Sequence, residues 1–184
     1  DHAYMIRTQI LPDQIHNYAH NTEWLIRTLN QLGQARKAMA LAKNLIEIPR
    51  HPDYNTIDKG SKSAGFGRTR LLETLLKFEL WDDLRALDGS QYLDVTQTRA
   101  FEPARLRALG IASFFRRDSA AIDRRLASLL ELSKKPAAPP KDAKPAEKPA
   151  DKPASPGKGK PAAGNSGATI NTALAELRAL RAIL

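Results

Sequence analysis

Residues Trp24 to Pro52, WLIRTLNQLGQARKAMALAKNLIEIPRHP, constrain the fold more than any other stretch, because they read as two short helices folded back on each other. Ile15, Tyr18, Leu25, Leu29 and Leu32 recur at helical spacing up to Gly33. A second set, Ala38, Leu41, Ala42, Leu45 and Ile46, runs on until Pro49 and Pro52 stop it. One such hairpin cannot bury its apolar faces alone, so it calls for stacked neighbours. The expected fold class is all-α, an α-solenoid, and solenoids more often bind other molecules than transform them.

Two further hairpins are predicted. GRTRLLETLLKFELWDDLRAL places Leu71, Leu72, Leu75, Leu76 and Phe78 on one helix and Trp81, Leu84 and Leu87 on the next. The third spans about Arg99 to Leu132, with Ala104, Leu106, Leu109, Ile111 and Phe115 before an RRDS turn and Ala121, Ile122, Leu126, Leu129 and Leu130 after it. A lead-in, AYMIRTQIL, closes at Pro12, and Asp13 is the expected N-cap of the first long helix. That helix should carry Ile15, Tyr18, Thr22, Leu25, Leu29 and Leu32 on its buried stripe. HPDYNTIDKGSKSAGFGR and DGSQYLDVTQ are expected loops, with YLDVT the one strand candidate.

The turn and second helix of the first hairpin, LGQARKAMALAKNLIEIPRHP, resemble a tetratricopeptide repeat. Gly33 matches the family's turn glycine, Ala38 its small packing residue, and Pro49 or Pro52 its closing proline. In the second hairpin Trp81 falls at the aromatic turn position, with Leu84 where a small residue is expected. The third offers Ala121 there. The steps from 38 to 84 and from 84 to 121 exceed the family's period of about 34 residues, so the loops are long. The resemblance covers residues 13–133. It implies a right-handed solenoid of about three hairpins, a concave groove lined by the first helix of each, and noncatalytic binding of a peptide or protein segment.

Eight of the twelve prolines fall between Pro136 and Pro161, which divides the chain. Residues 1–133 form the helical domain and 134–167 a Pro/Ala/Lys-rich linker without aromatic or large aliphatic residues, expected to be disordered. Residues 168–184 form an amphipathic helix with Ile170, Leu174, Leu177, Leu180 and Leu184 on one stripe, read as the start of a truncated element. Such linkers resemble those of modular bacterial proteins, often outside the cytoplasm. The net charge of +9 divides the same way: residues 1–133 carry 19 basic against 16 acidic residues, and residues 134–184 carry 10 against 4. Two thirds of the excess therefore sits on the tail. A nucleic-acid role is disfavoured, because the six arginines Arg105, Arg107, Arg116, Arg117, Arg124 and Arg125 have few aromatics among them and the acids Asp118 and Asp123 interleaved. No run reaches transmembrane length.

His16, His20, Glu23 and Arg27 share one face of the first long helix, with Asn17, Asn21 and Trp24 on the adjoining strip. Three readings stay open: a solvated polar face, a groove offering hydrogen bonds and an indole to a peptide, or a Zn²⁺ or Cu²⁺ site built on His16, His20 and Glu23. Arg68 and Arg70, behind Gly60, Gly65 and Gly67, are further groove candidates. Glycines beside cations before a helix also fit an anion cradle, though a plain inter-hairpin loop is the expected account. With no cysteine, and none of the HExxH, GxSxG or P-loop motifs, no catalysis and no cofactor are expected. An architectural spacer in a longer protein, beside a thioredoxin-like or other catalytic domain, is the rival reading.

Overall fold

The computed structural model describes residues 2–49, 62–95, 101–135 and 166–184. All regular structure in them is helical: α1 (His2–Thr8), a 3-10 turn (Pro12–Gln14), α2 (His16–Gln31), α3 (Ala35–Glu47), α4 (Ser63–Lys77), α5 (Trp81–Leu87), α6 (Glu102–Phe115), α7 (Ser119–Lys134) and α8 (Ser166–Ile183). Tyr92–Val95 forms no strand; among the described residues the one extended pairing is a lone bridge between Asp88 and Leu93. The predicted linker, 134–167, lies outside the described residues except at its ends, where Lys134 closes α7 and Ser166 opens α8.

Three helix pairs, α2/α3, α4/α5 and α6/α7, turn by one device. In each, a residue in the left-handed region follows the first helix: Gly33 (φ 74°), Glu79 (φ 52°) and Arg117 (φ 56°). Two backbone bonds close the helix end around it. Gln34 N–H donates to Leu29 O (2.9 Å) and Gly33 N–H to Asn30 O (3.4 Å). The same pair recurs as Leu80 to Leu75 (2.9 Å) with Glu79 to Leu76 (3.2 Å), and as Asp118 to Ser113 (3.0 Å) with Arg117 to Phe114 (2.8 Å). This is the Schellman arrangement, which satisfies carbonyls the helix cannot. It also fixes the register of the three pairs. Ala38, Leu84 and Ile122 each donate to the residue just past the turn (Gln34, Leu80 and Asp118), and all three are fully buried. The third equivalent position is thus Ile122, one residue beyond the Ala121 expected from sequence.

Two apolar clusters fill the interior. The larger joins Ile26 of α2, Met39, Ala42, Leu45 and Ile46 of α3, Leu71 and Leu75 of α4, Leu84 of α5, and Ala108 and Leu109 of α6. The smaller joins Leu106 of α6, Ile122, Leu129 and Leu132 of α7, and Ile170, Ala173, Leu174 and Leu177 of α8. The apolar stripe of the last helix, which had no visible partner in the sequence, is therefore covered by α6 and α7.

Four expectations change. The loop predicted to run to Arg68 ends earlier, because α4 opens at Ser63 and takes Gly65 and Gly67 into its buried face. A Cβ on Gly67 would lie 2.7 Å from the Ala42 carbonyl oxygen and 2.8 Å from Ile46 Cγ1, so glycine lets α4 approach the α3 backbone. Asp13 is not the N-cap of α2: it sits in the turn begun by Pro12, where Gln14 Oε1 accepts from Leu11 N–H (3.0 Å), and α2 starts at His16 with Ile15 at the cap. The buried ridge of α2 is Ala19, Glu23, Ile26 and Asn30, leaving Leu25 at 50% and Leu32 at 66% exposure. Counting apolar residues misplaced that face because two of its four members are polar. Phe115, expected in the core, is half exposed and stacks on Trp81 with ring centroids 4.9 Å apart.

Two outcomes follow. Gly67→Ala improves intrinsic helix propensity by about 1 kcal/mol, yet overpacking against a backbone carbonyl costs about 1–3 kcal/mol. The variant should lose about 1 kcal/mol net, seen as a lower urea midpoint at unchanged slope. Arg117→Gly relieves the left-handed strain at an exposed turn and should gain about 0.5–1 kcal/mol in the same assay.

Candidate functional site

The predicted strip on α2 is divided by the fold. Asn17, Asn21, Trp24 and Arg27 face solvent, with Trp24 at 54% exposure. The Arg27 guanidinium lies 5.0 Å from the Trp24 ring centroid, a cation–π contact. His20 is half buried, edge-on to Trp24 (5.8 Å between centroids) and tilted against Phe66 of α4 (6.2 Å). His16 opens α2, and its side chain lies outside the described residues. Glu23 points the other way. It is 4% exposed and pairs with Arg70 of α4, whose Nε donates to Glu23 Oε1 at 2.7 Å.

Of the residues in the metal reading, Glu23 has its carboxylate facing a guanidinium, with His20 Nδ1 3.7 Å from Oε2. Among the described residues no three His, Asp or Glu groups converge as a metal site. Of the glycine-cation segment, Gly60 lies outside the described residues, and the described part forms no loop around an anion. Gly65 and Gly67 are inside a helix, and Arg68 is buried in an ion pair with Asp94.

Arg70 belongs to a polar seam between α2 and α4. One helical turn further on, the buried Asn30 side-chain amide donates to Thr74 Oγ1 (2.9 Å), and the Thr74 hydroxyl donates to Arg70 O (2.7 Å). Lys77 Nζ closes the seam on Asn30 O (2.7 Å). Burial acts to lower the Arg70 pKa, but hydrogen bonds and charge from Glu73 and Glu23 outweigh it, and the value rises above its ordinary one. The guanidinium therefore stays charged throughout the working pH range.

Beside this seam lies a cavity of about 650 Å³. Thr69, Leu72, Glu73 and Leu76 of α4 form one wall, at the i, i+3, i+4, i+7 spacing of a single helix face. Phe101 and then Ala104, Arg105 and Arg107 of α6 form the second, Leu93 and Asp94 border it, and Thr169 and Thr172 of α8 complete the lining. The size falls within the range of small-ligand and side-chain pockets, about 300–1,000 Å³. The floor is apolar, and each guanidinium at its edge faces a carboxylate: Arg68 pairs with Asp94, Arg105 with Glu102 and Asp88, and Arg107 with Glu176 (Nη2 to Oε1, 2.9 Å). An incoming acidic group would have to displace one of them.

Arg105 and Glu102 are both buried, with Arg105 Nη2 to Glu102 Oε1 at 2.7 Å, and Asp88 extends the network to Arg125 of α7 (3.3 Å). Burial again acts to lower the Arg105 pKa and is outweighed by bonds and charge from Glu102 and Asp88, which push it above its ordinary value.

Sequence reasoning placed Leu72 and Leu76 in the core and never singled out Thr69, Ala104 or the two threonines of α8. One signal was present: α4 carries a second stripe, 69, 72, 73 and 76, beside its core stripe 64, 67, 68, 71 and 75. That stripe means a cavity only once α6 and α8 stand opposite it. No protein-family model, curated protein or solved structure matches this chain, so the tetratricopeptide resemblance stands on its residues alone. Among the described residues no helix is long and apolar enough to cross a membrane.

Arg105→Ala should destabilise the fold by about 3–5 kcal/mol, because it strands the buried Glu102 carboxylate. Replacing the pair together, Glu102→Met with Arg105→Met, should cost less than the single change, which chemical denaturation of both variants will show.

Proposed function

We propose that this protein is a noncatalytic interaction module of the helical-repeat type, which holds an extended peptide or protein segment across the first helices of its three hairpins. The observation that carries this reading is the apolar-floored cavity between α4 and α6, with its closed set of ion pairs. An apolar side chain of the bound segment fits the floor of Leu72, Leu76 and Ala104. The neutralised edge disfavours an acidic anchor, whatever the chain's net charge. The shared turn geometry of the three pairs supports the repeat reading, as do their equivalent buried positions Ala38, Leu84 and Ile122.

The solvent-facing strip on α2 would extend the contact. Arg70 bridges the two surfaces, since it pairs with Glu23 of α2 and also with Glu73, which lines the cavity. Asn17, Asn21, Trp24 and Arg27 offer the segment hydrogen bonds and a stacked indole–guanidinium pair. The cavity is the anchor and the strip the rim, an arrangement in which a few buried contacts carry most of the affinity.

Random peptides displayed on phage and selected against the full chain test this directly. Recovered binders should be rich in aliphatic or aromatic residues. Leu76→Glu should weaken them by about tenfold or more, equivalent to about 1.4 kcal/mol, with Trp24→Ala having a smaller effect. If no peptide is recovered, or Leu76→Glu leaves affinity unchanged, the groove is not a binding site and the architectural spacer becomes the better account.

A further inference from the structure

Helix α8 packs chiefly on α6 and α7. It buries Ile170, Ala173, Leu174 and Leu177 at i, i+3, i+4 and i+7, the register by which an amphipathic helix lies in an apolar groove. Gly110 of α6 forms the notch for it: a Cβ there would lie 2.5 Å from Leu177 Cδ2. The Arg107–Glu176 pair and Arg181 Nε to Asp123 Oδ1 (2.8 Å) flank the contact. No α8 residue belongs to the larger apolar cluster that unites α2 to α6. Thr169 and Thr172 of this same helix border the cavity.

We propose that α8 is a reversible latch on the groove, covering part of it when docked and uncovering it when released so that an extended segment can pass across α4 and α6. The proposal concerns regulation of the site assigned above and rests on that reading. Three observations carry it. The larger cluster holds α2 to α6 together without α8, so release leaves that core in place, as a unit of lower stability opens while the rest stays folded. Residues 136–165 stand between α7 and α8, and thirty residues at about 3.3 Å each reach roughly 100 Å when fully extended, so α8 can leave with the chain intact. Finally, the helix that leaves contributes Thr169 and Thr172 to the cavity's lining. Occupancy of the groove by a through-running segment and docking of α8 are then opposed, and each weakens the other by the same factor.

The chain has no cysteine, so it can be locked. In the full chain carrying Gly110→Cys and Leu177→Cys, oxidation ties α8 to α6 and reduction frees it. In the unaltered chain, amides of residues 170–183 should exchange with deuterium at least about tenfold faster than those of α3 and α4, and in the double-cysteine chain they should slow on oxidation. Equal protection of α8 and α3 in the unaltered chain overturns the proposal, since α8 would then leave only on global unfolding. A second arm reads the cavity itself. The thiol introduced by Leu76→Cys should react with Ellman's reagent about tenfold faster when Leu174→Asp undocks α8, while the exposed thiol of Asn21→Cys keeps its rate. An unchanged rate at position 76 shows that α8 does not gate the cavity and overturns the proposal. If Leu174→Asp fails to fold, exchange in the unaltered chain decides alone, because no residue of the α8 contact is changed there. Neither arm uses a ligand, so failure of the latch is distinguishable from failure of the peptide groove.

Discussion

Three residues in the left-handed backbone region, Gly33, Glu79 and Arg117, set the geometry on which the rest of the fold depends. Each ends a helix with two backbone bonds and sends the next helix back along it. Only one of the three is glycine. Glutamate and arginine accept the strain because the carbonyls they help to satisfy would otherwise stay unpaired. Repeating the turn repeats the register, so Ala38, Leu84 and Ile122 arrive at the same buried place although their side chains differ in size. The fold thus repeats a backbone arrangement more faithfully than a side-chain pattern.

Packing between successive pairs is then settled by two unlike devices. Where α3 meets α4, Gly67 removes a side chain and the backbones close up. Where α2 meets α4, the contact is polar: Glu23 with Arg70, then Asn30 with Thr74 and Lys77. Buried polar groups of this kind cost stability if left alone and fix one alignment when paired. A slip of one turn along the seam would put Glu23 opposite Thr74 and leave a guanidinium without its carboxylate. The Glu102–Arg105–Asp88–Arg125 chain joins α5, α6 and α7 in the same manner.

The cavity exists because α4 and α6 do not close fully on each other, with α8 adding Thr169 and Thr172 to its lining. Its charges are consumed within the protein, which leaves apolar surface as the feature the cavity exposes. This inverts the expectation raised by a basic chain. The excess positive charge lies mostly between residues 134 and 184, while the arginines that reach the cavity are each neutralised there.

The sequence by itself determined the helices and their order. Apolar spacing in residues 34–48 and 119–132, together with Gly33 and Pro49, gave helix ends close to those observed, because local hydrogen bonding and propensity decide them. It did not determine which face of α2 is buried. Glu23 and Asn30 read as surface residues until Arg70 and Thr74 stand opposite them, and those partners lie 47 and 44 residues away. Nor did it reveal that Gly65 and Gly67 lie inside a helix, since glycine signals a loop wherever the close neighbour is unseen. The covering of α8 and the cavity at its edge were likewise decided by tertiary structure alone. Both depend on surfaces from α4, α6, α7 and α8 meeting across long separations, and one helix's periodicity names a face without naming what it will face.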